Sequence, residues 1–261
     1  IEPTVVAASE KLKQHVGQVE AILAVGGDGT VHYGAQLAWQ HALPYGIIPA
    51  GSGDDIARAC GLPHGRNIKE VKKAVKHFVD AWQAKDITAI DGAVVSTASG
   101  EARLVLAVVS CGFDSRVSVV GARVTFPRGT MRYVYSMFAT LAQFSPITYD
   151  LVVNGESRQV SGMLLDIANG STYGGGMKIS PDSKLNDGNL ELLFLDRVGI
   201  PTLLGLFSKI FKGTHINHPK ISVESVQTIQ VDAKDEQVWG DGEYIAHCPV
   251  TVRVSPEVIR I

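Results

Sequence analysis

Short apolar runs alternate with amphipathic helical stretches in the first third of the chain. Glu20–Val25 and Tyr45–Pro49 are predicted to be buried strands, because each is a short apolar run bounded by turn residues. Helices are predicted between and after these strands, over Thr30–Leu43, Asp54–Cys60 and Ile68–Trp82. Strands that alternate with helices indicate a parallel, layered α/β unit.

From residue 91 onward the pattern changes to mostly strands. Two helices interrupt it, at Thr130–Phe144 and Pro201–Lys212, and Asn154-Gly155 is typical of a tight hairpin. We therefore expect two domains, 1–91 and 92–261, with a hinge near Ile90-Asp91-Gly92 and with residues 247–261 packing back on the first domain. Strands are predicted at Leu104–Cys111, Ile147–Val153, Gln159–Ala168, Leu190–Leu195, Ile221–Val231 and Val250–Val254.

Composition limits the classes of function. The 261 residues are 45% hydrophobic and 19% charged, which is typical of a globular chain and not of a disordered one. A net charge of −2 argues against a nucleic-acid partner, because nucleic-acid binders usually carry a basic excess. The three cysteines are far apart and suit a reducing compartment. Because no apolar run approaches the ~20 residues of a membrane span, we expect a cytoplasmic protein.

A glycine cluster follows the first predicted strand, at Gly26, Gly27, Asp28, Gly29 and Thr30. Glycines let backbone N–H groups approach phosphate oxygens, and the helix that follows directs its positive end at them. Thr30 is expected to cap that helix or to bind a phosphate. Asp28 is expected to face a magnesium ion or an acceptor hydroxyl. A plain strand-to-helix turn with Asp28 as its cap is the structural alternative.

The pattern recurs after the second predicted strand, at Gly51-Ser52-Gly53-Asp54-Asp55-Ile56-Ala57-Arg58. Two adjacent parallel strands place both loops at one edge of the sheet, where α/β folds bind ligands. Ser52, Asp55 and Arg58 are the candidates for nucleotide binding in this second loop. Asp55 and Arg58 lie one helical turn apart, so we expect them to form an ion pair that fixes the loop.

These two motifs resemble the catalytic domain shared by diacylglycerol kinases, sphingosine kinases and bacterial lipid kinases. The likeness continues in the family's order through Tyr173-Gly174-Gly175-Gly176-Met177, Leu185–Glu191 and Asp241-Gly242-Glu243. It implies an α/β nucleotide-binding domain followed by a β-sandwich-like domain, with the active site in the cleft between them. It also implies transfer of the γ-phosphate of ATP to a lipid hydroxyl in phospholipid biosynthesis. Diacylglycerol, which gives phosphatidic acid, is the first choice of substrate.

The resemblance also implies roles for particular residues. Glu243 would be the general base that takes the proton of the lipid hydroxyl, with Asp28 as a second catalytic residue. A structural Mg²⁺ would be held by the Asp187 carboxylate and the carbonyls of Lys184 and Asn189. Asp91 is expected either in the acidic network around the phosphates or as a turn residue. ATP would contact Gly26, Gly27, Asp28, Gly29, Thr30, Ser52, Asp55 and Arg58.

Plain turns are the structural alternatives for both late motifs. Asp241-Gly242 would then be only a hairpin turn with Glu243 solvated, and Asn186-Asp187-Gly188 a turn before a strand. His215-x-x-His218 has metal-ligand spacing but is expected to be a surface loop.

The chain departs from the family pattern in three places. The Asn-Pro-x-Ser-Gly-like loop that opens the family does not occur before Val5, so the true N-terminus is expected to be missing. His32-Tyr33 stand where Asn-Glu is usual, and Ser52 and Asp54 stand where Thr and Asn are commoner. Two other functions stay open: another small-molecule kinase of the NAD kinase-like superfamily, which shares the first motif, and a non-catalytic ATP-binding relative.

Two segments suggest contact with an anionic membrane surface. The stretch from Arg123 through Arg128 to Arg132 has no acidic residue. It leads into an apolar, aromatic helix. A second apolar helix, Ile200–Phe211, carries lysines beside it. We hypothesise that one or both meet the membrane and admit the lipid, although core-facing helices are the alternative, and a homodimer stays open. The aromatic and sulfur side chains of the first helix are Tyr133, Tyr135, Met137, Phe138 and Phe144.

Overall fold

A computed structural model describes residues 16–65, 67–126, 130–141 and 145–261 of the protein. The helices are α1 (Asp28–Gln40), α2 (Asp55–Ala59), α3 (Ile68–Ala84), α4 (Phe113–Arg123), α5 (Thr130–Leu141) and α6 (Ile200–Ile210), with short 3-10 helices at Val16–Gln18 and Thr214–Asn217. The strands are β1 (Ile22–Gly26), β2 (Tyr45–Pro49), β3 (Ala89–Thr97), β4 (Ala102–Val105), β5 (Val108–Gly112), β6 (Ile147–Val153), β7 (Glu156–Ala168), β8 (Leu190–Asp196), β9 (Ile221–Val226), β10 (Thr228–Asp232), β11 (Gln237–Gly240), β12 (Glu243–His247) and β13 (Val250–Arg260).

The first two strands form a small parallel sheet. β1 and β2 pair in register, with Gly26 opposite Pro49. α1 packs on β1, and α3 packs on β2. This confirms the predicted α/β unit, and it brings the segments that follow the two strands to the same edge of the sheet.

The remaining strands form one antiparallel sheet that separates two apolar cores. Its order is β12-β11-β5-β7-β6-β10-β13-β3-β4, and β8, which pairs with β7, also carries β9. Because side chains alternate along each strand, Leu165 and Ile229 enter the core on the inner side of the sheet. Leu106 and Leu193 enter the core shared with the helices. The expected mostly-β second part is confirmed.

Two predicted strands are each divided in the structure. Leu104–Cys111 becomes β4 and β5, because the N–H groups of Leu106 and Ala107 donate to the Asp241 carboxylate and not to a neighbouring strand. Ile221–Val231 becomes β9 and β10, since the Gln227 N–H donates to the Asn154 side chain. The sequence pattern does not predict β3 or α4, because tertiary packing overrides local preference in these segments. β11 and β12 are the strand-like stretches on either side of the turn at Asp241-Gly242.

The expected hinge lies inside β3. Asp91 is buried. Its Oδ2 accepts the Gly188 N–H at 2.8 Å, and its Oδ1 accepts the Glu257 N–H at 2.9 Å. Asp91 therefore joins β3 to the turn before β8 and to the irregular part of β13. The junction at residues 90–92 is a buried strand and not an exposed linker, and Asp91 is neither a turn residue nor a free carboxylate.

Several contacts join residues 16–65 to the strands that follow residue 91. Ile259 of β13 packs in the core that also holds Leu37 of α1. Arg260 donates to the Ala42 carbonyl at 2.6 Å. The Gln36 side chain exchanges two hydrogen bonds with the backbone of Leu104, one of them from the Leu104 N–H at 3.0 Å. Within the described part of the chain, no helix is both long and apolar enough to cross a membrane.

Candidate active site

The two glycine loops lie in contact with each other. The Ala50 N–H donates to the Gly26 carbonyl at 2.8 Å. A Cβ built on Gly51 would lie 2.5 Å from the Cα of Gly27, closer than any side chain allows. Glycine is therefore required where the loops touch. The expectation that both loops meet at one edge of the sheet is confirmed.

Asp28 joins the first loop to the second. Its Oδ1 accepts the Asp55 N–H at 2.9 Å and its Oδ2 accepts the Asp54 N–H at 3.1 Å. A Cβ on Gly53 would lie 2.3 Å from Asp28 Oδ2, so the second loop must also be glycine there. Asp28 also lines the cavity described below, and its expected orientation toward a metal ion or an acceptor stays a prediction. The Asp28 oxygens bind the start of α2 across the loop contact.

Burial changes the acidity of Asp28. Burial first, and then the charge of the nearby Asp55 carboxylate, raise the pKa of Asp28 from its ordinary value of 3.8 to about 6. The N–H groups of Asp54 and Asp55 act in the opposite direction, because they stabilise the charged form. A change of proton occupancy at this position therefore falls close to neutral pH.

The start of α1 presents backbone donors at the edge of the cleft. Gly27 is the N-cap and makes no side-chain cap hydrogen bond. Thr30 lies within the first turn and not at the cap, and its side chain packs against Gly26. Because the first-turn N–H groups of a helix lack intrahelical acceptors, this end is suited to bind phosphate oxygens. Ser52 is exposed on the neighbouring loop, beside the same cleft.

Asp55 joins the second loop to the glycine-rich segment at residues 174–176. Its carboxylate accepts the N–H groups of Gly175 at 2.6 Å and Gly176 at 2.7 Å. The predicted ion pair with Arg58 is wrong, since Arg58 donates instead to the Gly53 carbonyl at 3.2 Å. Burial raises the pKa of Asp55, while the two glycine N–H groups and the Arg58 charge oppose that change.

Glu243 lies across the cleft from the first loop. It begins β12, directly after the two-residue tip Asp241-Gly242, where both residues have positive φ. A Cβ on Gly29 would lie 3.0 Å from Glu243 Oε1. The carboxylate of the predicted base is exposed and adjoins the first-motif glycines, so the structure brings the early and late motifs together.

Asp241 anchors the hairpin that carries Glu243. Its Oδ2 accepts from the Leu106 N–H at 2.9 Å and from His32 Nδ1 at 3.1 Å. Its Oδ1 accepts from the Ala107 N–H at 2.8 Å. The side chain is almost fully buried. This carboxylate therefore holds a position in the wall of the cleft, whereas Glu243 faces the open space.

A cavity of about 410 Å³ adjoins both loops and the hairpin. Its other walls are α4 and α5, which contribute Val117, Gly121 and Ser136. A larger cavity, about 520 Å³, lies between α3 and residues 183–186, and its described lining contains no carboxylate of the glycine motifs. We therefore place the candidate chemistry in the smaller cavity.

A buried polar cluster lies beneath that cavity. Ser110 and Tyr173 line the cavity, and the Tyr173 hydroxyl donates to Asp114. Asp166 lies directly opposite Ser110 in the sheet, with 0% exposure. Burial, and then the charge of Asp114, raise the pKa of Asp166 well above 3.8. The cluster makes the floor of the cavity polar.

The proposed metal turn lies on the surface, away from the glycine loops. Asp187 is exposed, and its Oδ1 accepts the Asn189 N–H at 3.0 Å. Burial, an effect that Asp187 and Asp182 reinforce, raises the pKa of Glu191. One exposed carboxylate in negative surroundings fits a hard cation that keeps most of its water. Among the described residues, no three His, Cys, Asp or Glu side chains converge on a metal site.

The folded arrangement adds three functional candidates that the sequence analysis did not single out. His32 becomes visible as the partner of Asp241, although the sequence marks it as a departure from the family pattern. Asp166 could have been found as an acidic residue inside an otherwise apolar strand, because buried polar groups are the informative exceptions. Tyr173 belongs to a recognised motif, but its contact with Asp114 depends on tertiary packing.

Arg128 and Phe144 lie outside the described residues, as do the side chains of Arg132 and Tyr133.

Comparisons with known families cover both parts of the chain. Residues 4–87 match the family model of the diacylglycerol kinase catalytic domain. Residues 107–261 match the model of the YegS C-terminal NAD kinase beta sandwich-like domain. The expected combination of a nucleotide-binding domain with a sandwich-like domain is therefore confirmed.

Individual proteins give the same result. A protein named diacylglycerol kinase from Mycobacterium tuberculosis is 32% identical over 93% of this chain and 76% of its own length. One from Bacillus subtilis is 25% identical over 87% of this chain and 72% of its own length. A crystal structure of a diacylglycerol kinase from Bacillus anthracis has a TM-score of 0.68 at 19% identity, over 97% of this chain and 79% of that chain. An Archaeoglobus fulgidus NAD kinase structure has a TM-score of 0.50 at 15% identity, over 93% and 77%, and shares the fold alone.

Asp28→Asn should remove a pH-dependent part of the stability. The pKa of Asp28 is about 6 in the folded protein and 3.8 ordinarily. The contribution of protonated Asp28 to the free energy of unfolding is therefore complete below pH 3.8 and is lost as the pH rises through about 6. We expect the unfolding free energy of the wild type, relative to that of Asp28→Asn, to fall by roughly 1–3 kcal/mol between about pH 4 and pH 7. Urea titrations measure it, with the exposed Asp86→Asn as the control. A difference that stays constant over this range would contradict the assignment.

Proposed function

Because the chain belongs to the diacylglycerol kinase family, we propose that it is an ATP-dependent lipid kinase that transfers the γ-phosphate to a lipid hydroxyl. Diacylglycerol is the proposed acceptor and phosphatidic acid the product, which places the activity in phospholipid biosynthesis. The observation that carries the proposal is the exposed Glu243 carboxylate lying against Gly29 of the first loop. In this arrangement a phosphate donor and a base face one space. The proposed domains are residues 1–91 for ATP and 92–261 for the lipid.

The two loops are proposed to hold the phosphates of ATP. Donors come from the start of α1 and from the backbone of Gly26, Gly27 and Gly29. Ser52 and Thr30 add hydroxyl groups, and Arg58 adds a positive charge near the Gly176 backbone. Asp28 and Asp55 contribute by fixing these segments through the N–H bonds described above. Preorganised donors of this kind stabilise charge on a transferring phosphoryl group.

Glu243 is proposed to accept the proton of the lipid hydroxyl. As the hydroxyl oxygen forms its bond to the γ-phosphorus, the bond from phosphorus to the bridging oxygen breaks and ADP leaves. The proton passes to a Glu243 carboxylate oxygen. This step needs an accessible, charged carboxylate, which is why the exposure of Glu243 matters.

The lipid is proposed to enter between α4 and α5. On α5, Ser136 faces the cavity, whereas Met131, Tyr135 and Phe138 are exposed large side chains at helical spacing. Phe126, just before α5, is 84% exposed. An exposed apolar face beside an acceptor cavity fits peripheral contact with a membrane surface. The protein would then act in the cytoplasm on lipid drawn from the membrane.

Magnesium is proposed in two places. Mg²⁺ that accompanies ATP would neutralise developing phosphate charge. A second ion would be held at the surface turn by the Asp187 carboxylate and the carbonyls of Lys184 and Asn189, where it would stabilise the turn. Asp91, which accepts the Gly188 N–H, connects this turn to the strand before the cleft.

Glu243→Gln should abolish most of the turnover. The amide keeps the size of the side chain but cannot take the proton, so we expect kcat to fall roughly 10²–10⁴-fold with unchanged folding. Transfer of label from radiolabelled ATP to diacylglycerol, sphingosine and NAD⁺ measures the activity and identifies the acceptor. The exposed Glu101→Gln is the matched control. Near-normal turnover in Glu243→Gln would remove Glu243 from this role.

Phe138→Asp should weaken membrane binding. The change replaces an exposed apolar side chain of α5 by a charge that anionic lipid repels, so we expect roughly 10-fold weaker binding. Co-sedimentation with phosphatidylglycerol–phosphatidylcholine vesicles measures it. Val75→Asp, on the exposed face of α3, is the matched control. Equal loss in both variants, or binding that does not depend on anionic lipid, would contradict the proposed surface.

Asp187→Asn should remove a stabilising effect of Mg²⁺. In the absence of ATP, Mg²⁺ is expected to raise the Tm of the wild type by a few degrees, about 2–5 °C, through preferential binding to the folded state. The variant lacks the charged ligand and should not respond. Asp235→Asn, at an exposed turn with positive φ that Asn tolerates, is the control. A response of Asp187→Asn equal to that of the wild type would exclude this site.

A further inference from the structure

His32 lies in a buried network that spans the cleft. It is only 6% exposed and lies on α1, one helical turn after Asp28. Its Nδ1 is 3.1 Å from Asp241 Oδ2. The same carboxylate binds the N–H groups of Leu106 and Ala107. One end of the network therefore belongs to the helix of the first glycine loop, and the other belongs to the hairpin that carries Glu243.

One placement of the hydrogen on the His32 ring gives both ring nitrogens a hydrogen-bond partner. A carboxylate can only accept, so His32 Nδ1 carries the hydrogen. The Nε2 atom is then the acceptor, and it faces Gln36 Nε2 at 3.4 Å. Gln36 also exchanges hydrogen bonds with the backbone of Leu104. A buried polar network in which each member has a partner is rigid, and it fixes the position of the groups it holds.

The hairpin tip is anchored at Asp241, whose own N–H also donates to the Val108 carbonyl at 3.2 Å. The tip is the two-residue turn Asp241-Gly242, with Glu243 next in sequence. Gly242 has a φ of 84° and has no side chain. A Cβ built there would meet no atom within 4 Å, so no neighbouring group packs closely at this position of the turn. Asp241 is therefore the buried anchor of the tip. Of its three donors, His32 is the one that comes from α1.

We infer that His32 is a positioning residue that sets the distance between the phosphate-binding start of α1 and the Glu243 carboxylate. This inference rests on the proposed role of Glu243 as the base. α1 is a rigid element that carries the first loop at its start and His32 one turn later. The hydrogen bond to Asp241 links α1 to the hairpin, which lies 209 residues later in the sequence. Small displacements of a reacting group have large effects on rate.

Three variants test the role of His32. His32→Leu removes the donor and should lower kcat roughly 10–100-fold, with KM for ATP changed less than about 3-fold. His32→Asn places an amide nitrogen the same number of bonds from Cβ as Nδ1, so it should recover most of kcat. His41→Leu, at the exposed C-cap of the same helix, is the control and should behave as the wild type. Should His32→Leu fail to fold, His32→Ser, which is too short to reach Asp241, carries the same comparison.

A double variant separates positioning from a general structural role. If His32 acts through Glu243, then adding His32→Leu to Glu243→Gln should cost no further activity. Multiplied losses, or a His32→Leu enzyme with normal kcat while Glu243→Gln is impaired, would overturn the inference and leave the proposed function intact. Normal kcat in Glu243→Gln itself would instead overturn the base on which both depend.

Discussion

Buried and partly buried aspartates that accept backbone N–H groups from other segments hold this cleft together. Asp28 accepts two such groups at the start of α2. Asp55 accepts two from the glycine segment of the sheet domain. Asp241 accepts two from the break between β4 and β5, and Asp91 accepts one from each of two distant segments. A buried carboxylate is tolerated when its charge is hydrogen-bonded, so each of these bonds also fixes where the segments lie.

This use of aspartates decides which acid is available for chemistry. The carboxylates of Asp28 and Asp55 lie beside the loops, but their oxygens are occupied by N–H donors. Glu243 lies against the first loop with an exposed side chain. This difference supports the proposed division between acids that fix the loops and Glu243 as the proposed base, with Asp28 as the link between the loops. Its pKa of about 6 is a consequence of its partial burial and of the nearby Asp55 charge.

The acceptor side of the cleft has a different character. α4 and α5 contribute small and apolar side chains to the cavity, while Ser110 and Tyr173 give it a polar floor. Behind that floor, Asp114 and Asp166 are buried close enough to interact. The exposed side chains Tyr135 and Phe138 lie on the same helix as the cavity residue Ser136. Such a site would place polar groups near the hydroxyl of the proposed acceptor and apolar surface toward the exterior, as an amphipathic alcohol requires.

Features that depend on local geometry can be predicted from the sequence alone. Apolar runs and glycine loops predict β1, β2 and the helices after them, because hydrophobic periodicity and turn-forming residues are properties of short segments. The order of the motifs identifies the family, and the resemblance implies Glu243 as the base. The turn at Asp241-Gly242 between two strand-like stretches is also a local feature, and it is the tip between β11 and β12.

Which groups bind one another depends on the tertiary structure. Asp55 binds Gly175 and Gly176 instead of Arg58, and Asp241 divides a predicted strand by taking its N–H groups. His32 finds its partner 209 residues away. Such contacts leave no local pattern, since a buried carboxylate can be satisfied by any donor that folding brings near. The desolvation of a carboxylate depends on the groups that surround it in the folded protein, and the sequence alone does not show which groups these are.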